Sequence, residues 1–467
     1  MRRWLLLSIF PIIFVFTFST SLYMPKPSGS SHISTVTAEP APSKNGHGRW
    51  IPNGNGAAIQ FPARFMWGVA TSAFQDEGGA GLTDWDEFKP YRKTAPKHPG
   101  FTEDDLDLAN ELEIQSIRFS VEWARVEPTQ GNWDEDELVR VRKHVRAMKK
   151  RGIEPFINLY HFTLPAWVAK RGGWENDSVP HWFAQYAQRV ATALRKERVR
   201  WWMTMNEPSV VVSEGYLNGN FPPALKTDME RGLHARQNLV DAHFGAYDAL
   251  HRVLDRPTQK FKVMVGIAHA ADYYMPENPK DGGDRNATAS VSFLASEQFI
   301  GAVRGAMDYV GINYYKRSVI KFSIWGALGY LHIPVGFVNS DDRDFGIYPE
   351  GLYQLIHKYA RFGKPILVTE NGIEDAADKK RPAFIAEHLR VVARAAGELA
   401  GTKSPVLGYF YWTFHDNFEW NRYTLSQFGL VGVDPKTNER FIRPSALLYR
   451  DIIRSNAVPD TLPKSRE

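Results

Sequence analysis

The sequence predicts an α/β protein: a single-domain (β/α)8 barrel of the TIM type with long loops after its strands. From Phe61 onward, short apolar runs alternate with longer helical patterns about eight times, the repetition that a closed parallel barrel requires. An open doubly wound sheet would also alternate, but it would be expected to carry a Gly-rich phosphate turn after an early strand, and the sequence has none. The 467 residues, 43% hydrophobic and 23% charged, suffice for one large core and exclude wholesale disorder.

The expected strands are Met66–Ala70, Ile114–Ser120, Glu154–Leu159, Arg200–Met205, Lys262–Ala268, Met307–Asn313, Pro365–Thr369 and Val406–Trp412, each a short apolar run. Between them the spacing predicts helices over Asp104–Glu113, Asp136–Arg151, His181–Arg195, Gly232–Val253, Pro349–Tyr359 and Pro382–Ala400. In the second of these, Leu138, Val141, Val145 and Met148 recur at helical spacing, so the basic run Arg140–Arg151 reads as a solvated helix face. Long loops are expected near residues 71–103, 207–231, 269–300 and 316–348.

Ahead of the barrel, Met1-Arg2-Arg3 and the apolar run Trp4–Phe18 have the parts of a secretory signal peptide, and the run to Met24 is nearly long enough for a membrane anchor. Residues 1–21 are therefore expected to act as signal or anchor, with export from the cytoplasm and membrane association through residues 4–24. Residues 22–58, rich in Pro, Ser, Thr, Gly and Asn, read as a disordered linker, residues 59–455 as the barrel and 456–467 as a tail. The net charge of +5 comes from 57 basic and 52 acidic residues spread along the chain, which gives no support to nucleic-acid binding. The absence of cysteine excludes disulfides, thiolate metal sites and cysteine nucleophiles, and no metal-ligand spacing appears.

A barrel of this type places its reactive groups where the strands end. The second strand ends with Arg118, the third runs into His161, and the sixth runs into Asn313-Tyr314-Tyr315. The fourth and seventh deliver Glu207 and Glu370 directly after apolar runs, from opposite sides of the mouth. Two carboxylates sharing one pocket do glycosidic chemistry, one as acid and the other as nucleophile or base.

Several segments carry a family resemblance. Phe65-Met-Trp-Gly-Val-Ala-Thr-Ser-Ala-Phe-Gln75, Thr204-Met-Asn-Glu-Pro208, Thr369-Glu-Asn-Gly372 and Tyr411-Trp412 through Asp416-Asn-Phe-Glu-Trp420 resemble family 1 of the glycoside hydrolases, in the family's order, over about Phe61 to Ile453. Tyr348-Pro-Glu-Gly-Leu352 and Arg443-Pro-Ser-Ala-Leu447 are most similar to its archaeal β-glycosidases and its plant galactolipid galactosyltransferase branch. The resemblance implies a retaining β-glycosidase acting on β-glucosides or β-galactosides without a cofactor, or a transglycosylase passing the sugar to a sugar or glycolipid acceptor. By the same resemblance Glu370 is the nucleophile and Glu207 the acid/base, and Arg118 and Tyr315 support the nucleophile. Gln75, His161, Asn206 and Glu419 bind sugar hydroxyls, with Asn206 at the 2-hydroxyl, and Trp412 and Trp420 pack on the ring. Glu419 argues against a 6-phosphosugar, which a carboxylate would repel. Three positions depart from the family's pattern: Phe162 where Trp is common, Asp76 where an aliphatic residue is usual, and His415 in place of an apolar one.

Overall fold

The computed structural model describes residues 58–79, 82–94, 98–256, 261–322 and 347–461. Eight strands, Met66–Ala70 (β1), Ser116–Ser120 (β2), Glu154–Asn158 (β3), Trp201–Asn206 (β4), Met264–Ala270 (β5), Tyr309–Asn313 (β6), Ile366–Asn371 (β7) and Val406–Trp412 (β8), close into a barrel in chain order. All neighbours are parallel, including the closing pair of β8 with β1. A principal helix follows each strand: Glu103–Glu111 (α1), Glu135–Lys150 (α2), Val179–Leu194 (α3), Met229–Leu254 (α4), Gly282–Ser292 (α5), Pro349–Ala360 (α6), Arg381–Glu398 (α7) and Pro444–Ser455 (α8).

Where strand and helix limits differ from expectation, local chemistry explains the shift. Ile114 is expected in a strand, but Glu113 turns left-handed at φ 56° and the Ile114 amide donates back to Ala109 at 3.0 Å, closing α1 before β2 begins. The loop expected near residues 269–300 contains α5, whose Gly, Asn, Thr and Ser content hides it from a propensity reading. Asp281 caps it by accepting from the Asp284 amide at 2.8 Å, and Thr288 and Val291 are buried beneath it. Within the loops expected at 269–300 and 316–348, Tyr273–Pro276 and Arg317–Ile320 pair as a small parallel sheet, and residues 323–346 lie outside the described residues.

The leader or anchor expected at residues 1–21 lies outside the described residues, as does the linker expected at 22–58 except for Ala58. Among the described residues no helix is long and apolar enough to cross a membrane. Ala58–Gln60 pairs antiparallel with Ala457–Pro459, so the start of the expected tail is strand-paired beneath the barrel. Asn456 secures this junction: its amide donates to the Phe61 carbonyl at 2.9 Å and its side-chain oxygen accepts from Trp67 Nε1 at 3.1 Å.

Strand alternation divides two cores. Phe156, Trp201, Met203, Met264, Tyr309, Leu367 and Phe410 fill the barrel, while Ile157, Trp202, Val265, Val310, Val368 and Tyr409 pack outward on the helices. In β4 and β7 the register slips near the mouth, between Met203 and Asn206 and between Val368 and Glu370. Met205 accordingly joins the outer core instead of continuing the inward row of Trp201 and Met203. The slip turns Asn206 and Glu370 inward, which strict alternation would have turned out.

The wall behind the mouth is held by a buried ion pair on β8's continuation. Arg443 grips both Asp416 oxygens at 2.8 Å, and Asp416 also accepts from the Gly429 amide at 3.0 Å. Replacing Arg443 with Met should cost about 3–5 kcal/mol by leaving the Asp416 charge unpaired, seen as a lower Tm in thermal unfolding. The double variant Arg443→Met/Asp416→Asn should recover part of that loss.

Candidate active site

Arg118 lies midway along β2, Asn206, Glu370 and Trp412 are in the last turns of their strands, and Gln75, His161, Glu207, Tyr315, Glu419 and Trp420 follow barrel strands, so the barrel sets their spacing and the local bonds set their aim. Arg118 on β2 is completely buried; its guanidinium donates to Glu370 Oε1 and, at 2.8 Å, to Asn206 Oδ1. Tyr315, just beyond β6, donates its hydroxyl to the other Glu370 oxygen at 2.6 Å. Both Glu370 oxygens are thus acceptors, one in an ion pair and one in a charge-assisted hydrogen bond. Burial and the neighbouring Glu370 push the Tyr315 hydroxyl well above its ordinary value, so it stays a donor. Gly372 lets the end of β7 run close to β8, because a Cβ there would collide with the Trp412 carbonyl.

Glu207 follows β4 in a left-handed conformation at φ 46°, directly ahead of Pro208, and its amide donates to the Ala268 carbonyl at 2.9 Å. That kink turns its partly exposed side chain toward the mouth, where Oε1 accepts from Asn313 Nδ2 at 2.8 Å. Burial, and then the Glu370 charge, push the Glu207 carboxyl up to about 8, against the opposing pull of Asn313 and Arg118. Two carboxyl groups therefore share one pocket with opposite settings: one ion-paired, the other favouring its proton.

The sequence places Asn313 at the end of the sixth strand without giving it a role. Its amide also donates to Asn206 Oδ1 at 3.1 Å, while Thr369 donates to its oxygen at 2.7 Å. It links the neighbourhoods of both glutamates. The available signal was its position at the end of β6, beside β7 and between the strands that carry the two carboxylates.

The structure brings the expected sugar-contacting residues to the same mouth. His161 lies 3.3 Å from Asn206 Nδ2 and 3.4 Å from Asn158 Nδ2, and burial beside Arg118 holds its imidazole well below the ordinary histidine value. It lies parallel to both Trp412 and Trp420, at 5.8 Å between centroids in each case. Trp420 also stacks on Phe74 at 5.7 Å, so protein covers more of its ring than an open platform would allow. The Arg118 guanidinium sits 5.7 Å from the Trp412 ring centre. Gln75 donates to the Phe418 carbonyl at 2.7 Å, and its buried Oε1 has no partner among the described residues. Glu419 is partly exposed, and burial, with Glu374 and Glu370 nearby, pushes it up to about 7 against the pull of Arg422. Phe162, at φ 70°, offers its carbonyl to Trp85 Nε1 at 2.9 Å. Among the described residues no group of three or more acidic or histidine side chains could hold a metal ion.

The model of glycosyl hydrolase family 1 matches residues 57–309 and 285–458. A β-galactosidase of Sulfolobus acidocaldarius is 29% identical, over 86% of this chain and 97% of its own length. The β-glucosidase A of Thermotoga maritima is 28% identical, over 86% and 99%. The solved structure of a β-glycosidase from Pyrococcus horikoshii superposes with a TM-score of 0.76 at 31% identity, covering 86% of this chain and 97% of that one.

Replacing Glu370 with Gln removes a negative charge beside Glu207 and frees Arg118 to act on it. Both changes favour the Glu207 anion, so its titration should move down from about 8. Carboxyl carbon-13 NMR of labelled glutamate in the two proteins reads this directly. An unmoved titration would mean that burial alone sets the group.

Proposed function

The chain belongs to glycosyl hydrolase family 1 and is a β-glycosidase; from that premise we propose that it hydrolyses terminal β-linked glucosides or galactosides by double displacement through a covalent glycosyl-enzyme. The observation that carries this is the opposed setting of the two carboxyl groups: Glu370 bound by Arg118 and Tyr315, Glu207 pushed up to about 8. The family 1 relatives named β-galactosidase and β-glucosidase support the substrate class.

In the first half of the reaction a Glu370 oxygen attacks the anomeric carbon as the glycosidic bond breaks. Glu207 gives its proton to the departing oxygen. Ester formation consumes the Glu370 charge, and with it the largest influence after burial that holds Glu207 protonated. The group then becomes a better base and takes a proton from water, which attacks the same carbon and releases Glu370. Two inversions leave the β configuration unchanged.

The other side chains hold the sugar. Asn206, fixed by Arg118 and Asn313, suits the 2-hydroxyl beside the reacting carbon. The free Gln75 oxygen and the Glu419 carboxylate serve as acceptors for hydroxyls farther round the ring, with neutral His161 between them and Asn206. Trp412 supplies an apolar wall. A pocket built around Phe162 lacks the indole donor common in the family, which weakens the hold on one hydroxyl. Water and a sugar or glycolipid acceptor compete for the same intermediate, so transfer would use identical residues.

Glu370→Gly should lose activity on aryl β-glycosides by several orders of magnitude and regain turnover with azide, yielding an α-glycosyl azide. Full activity in that variant would sink the assignment. The acid/base role has its own signature: kcat/KM on aryl β-glycosides should fall above about pH 8, where Glu207 loses its proton. Product analysis with added acceptor separates hydrolysis from transfer; dominance of the transfer product at low acceptor concentration would overturn simple hydrolysis.

A further inference from the structure

We propose that Asp76 and His415, together with Asn417, form a buried positioning unit that sets Gln75 and Glu419 for the hydroxyls of the bound sugar. The inference rests on the functional reading above. Asp76 and His415 are the two positions in this wall where the sequence departs from an apolar pattern, and the structure places them against each other. Their side chains are 2% and 0% exposed, with His415 Nδ1 3.6 Å from Asp76 Oδ1. Asn417 donates to that same Asp76 oxygen at 3.2 Å, and the Ser72 amide reaches the other at 3.3 Å.

The unit lies directly behind two sugar-facing residues. Gln75 adjoins Asp76 on the short helix Ala73–Glu77, and Glu419 ends the strand Asn417–Glu419. Two bonds stitch these segments together side by side: Gln75 Nε2 to the Phe418 carbonyl at 2.7 Å, and Asn417 Nδ2 to Asp76 at 3.2 Å. Arg443 anchors Asp416 between His415 and Asn417. The stitching fixes the backbone from which both side chains project, with the Gln75 oxygen buried and without a partner among the described residues and Glu419 partly exposed.

Neither partner is comfortable alone. His415 Nδ1 makes its hydrogen bond with the Asp416 carbonyl at 3.2 Å and faces Asp76 at 3.6 Å, while His415 Nε2 and Asn417 Oδ1 have no partner among the described residues, so Asp76 is the charge on which the group converges. Burial raises the Asp76 carboxyl to about 6 even though His415 and Asn417 pull it down. A lone charge or lone imidazole here would pull the two segments out of register, whereas removing both restores an apolar contact.

The test compares Asp76→Val, His415→Phe and the double variant on 4-nitrophenyl β-glycosides and their 3-deoxy, 4-deoxy and 6-deoxy analogues, with Tm recorded alongside. Each single change should lower kcat/KM on the parent glycoside by about tenfold, mostly through KM. The loss should shrink on the analogue lacking the hydroxyl that Gln75 or Glu419 holds. The double variant should fold and regain most of the wild-type preference, which keeps the test open if a single variant does not fold. Equal losses on parent and deoxy substrates, or strictly additive effects in the double variant, would overturn the proposal while wild-type turnover upholds the functional reading. Wild-type inactivity on the whole panel would overturn both.

Discussion

A cation enclosed by the barrel organises the mouth. Arg118 has no contact with solvent, and several kcal/mol of lost hydration must be offset by groups that meet its fork. Glu370 and Asn206 do so, with the Trp412 ring beside the guanidinium. The same positive charge reaches farther: it helps keep His161 neutral and works against protonation of Glu207. An ammonium group could not serve as well, since it lacks the planar fork that addresses two acceptors at once.

The backbone does a second job that the side chains alone could not. A strand alternates inward and outward, so delivering Asn206 and Glu370 inward from β4 and β7 requires the phase to change before each of them. The register slips supply that change only at the mouth, leaving the lower turns of both strands in step with the packed interior. Stability and chemistry are thereby separated along each strand, with Leu367 in the barrel core and Glu370 in the pocket three residues later.

Much of this was legible in the sequence because apolar runs end abruptly in chemically loaded residues. All eight strands lie where the short apolar runs stand, and the segments that carry the resemblance fall within the residues matched by glycosyl hydrolase family 1. What was not legible depends on contacts between distant residues. Asn313 looks like any strand-end amide until its bonds to Asn206 and Glu207 are seen. Asp76 and His415 each stood out as a departure, but their pairing becomes visible only when β8 closes on β1. Helix α5 was missed because capping and burial, not propensity, hold it.

The strand pair formed by Ala58–Gln60 and Ala457–Pro459 fixes where the chain enters and leaves the barrel. It lies beside the start of β1, on the rim opposite the glutamates, with Asn456 locking it to Phe61 and Trp67. The described chain therefore enters and leaves the barrel on the side away from Glu207 and Glu370, so neither junction crowds the pocket.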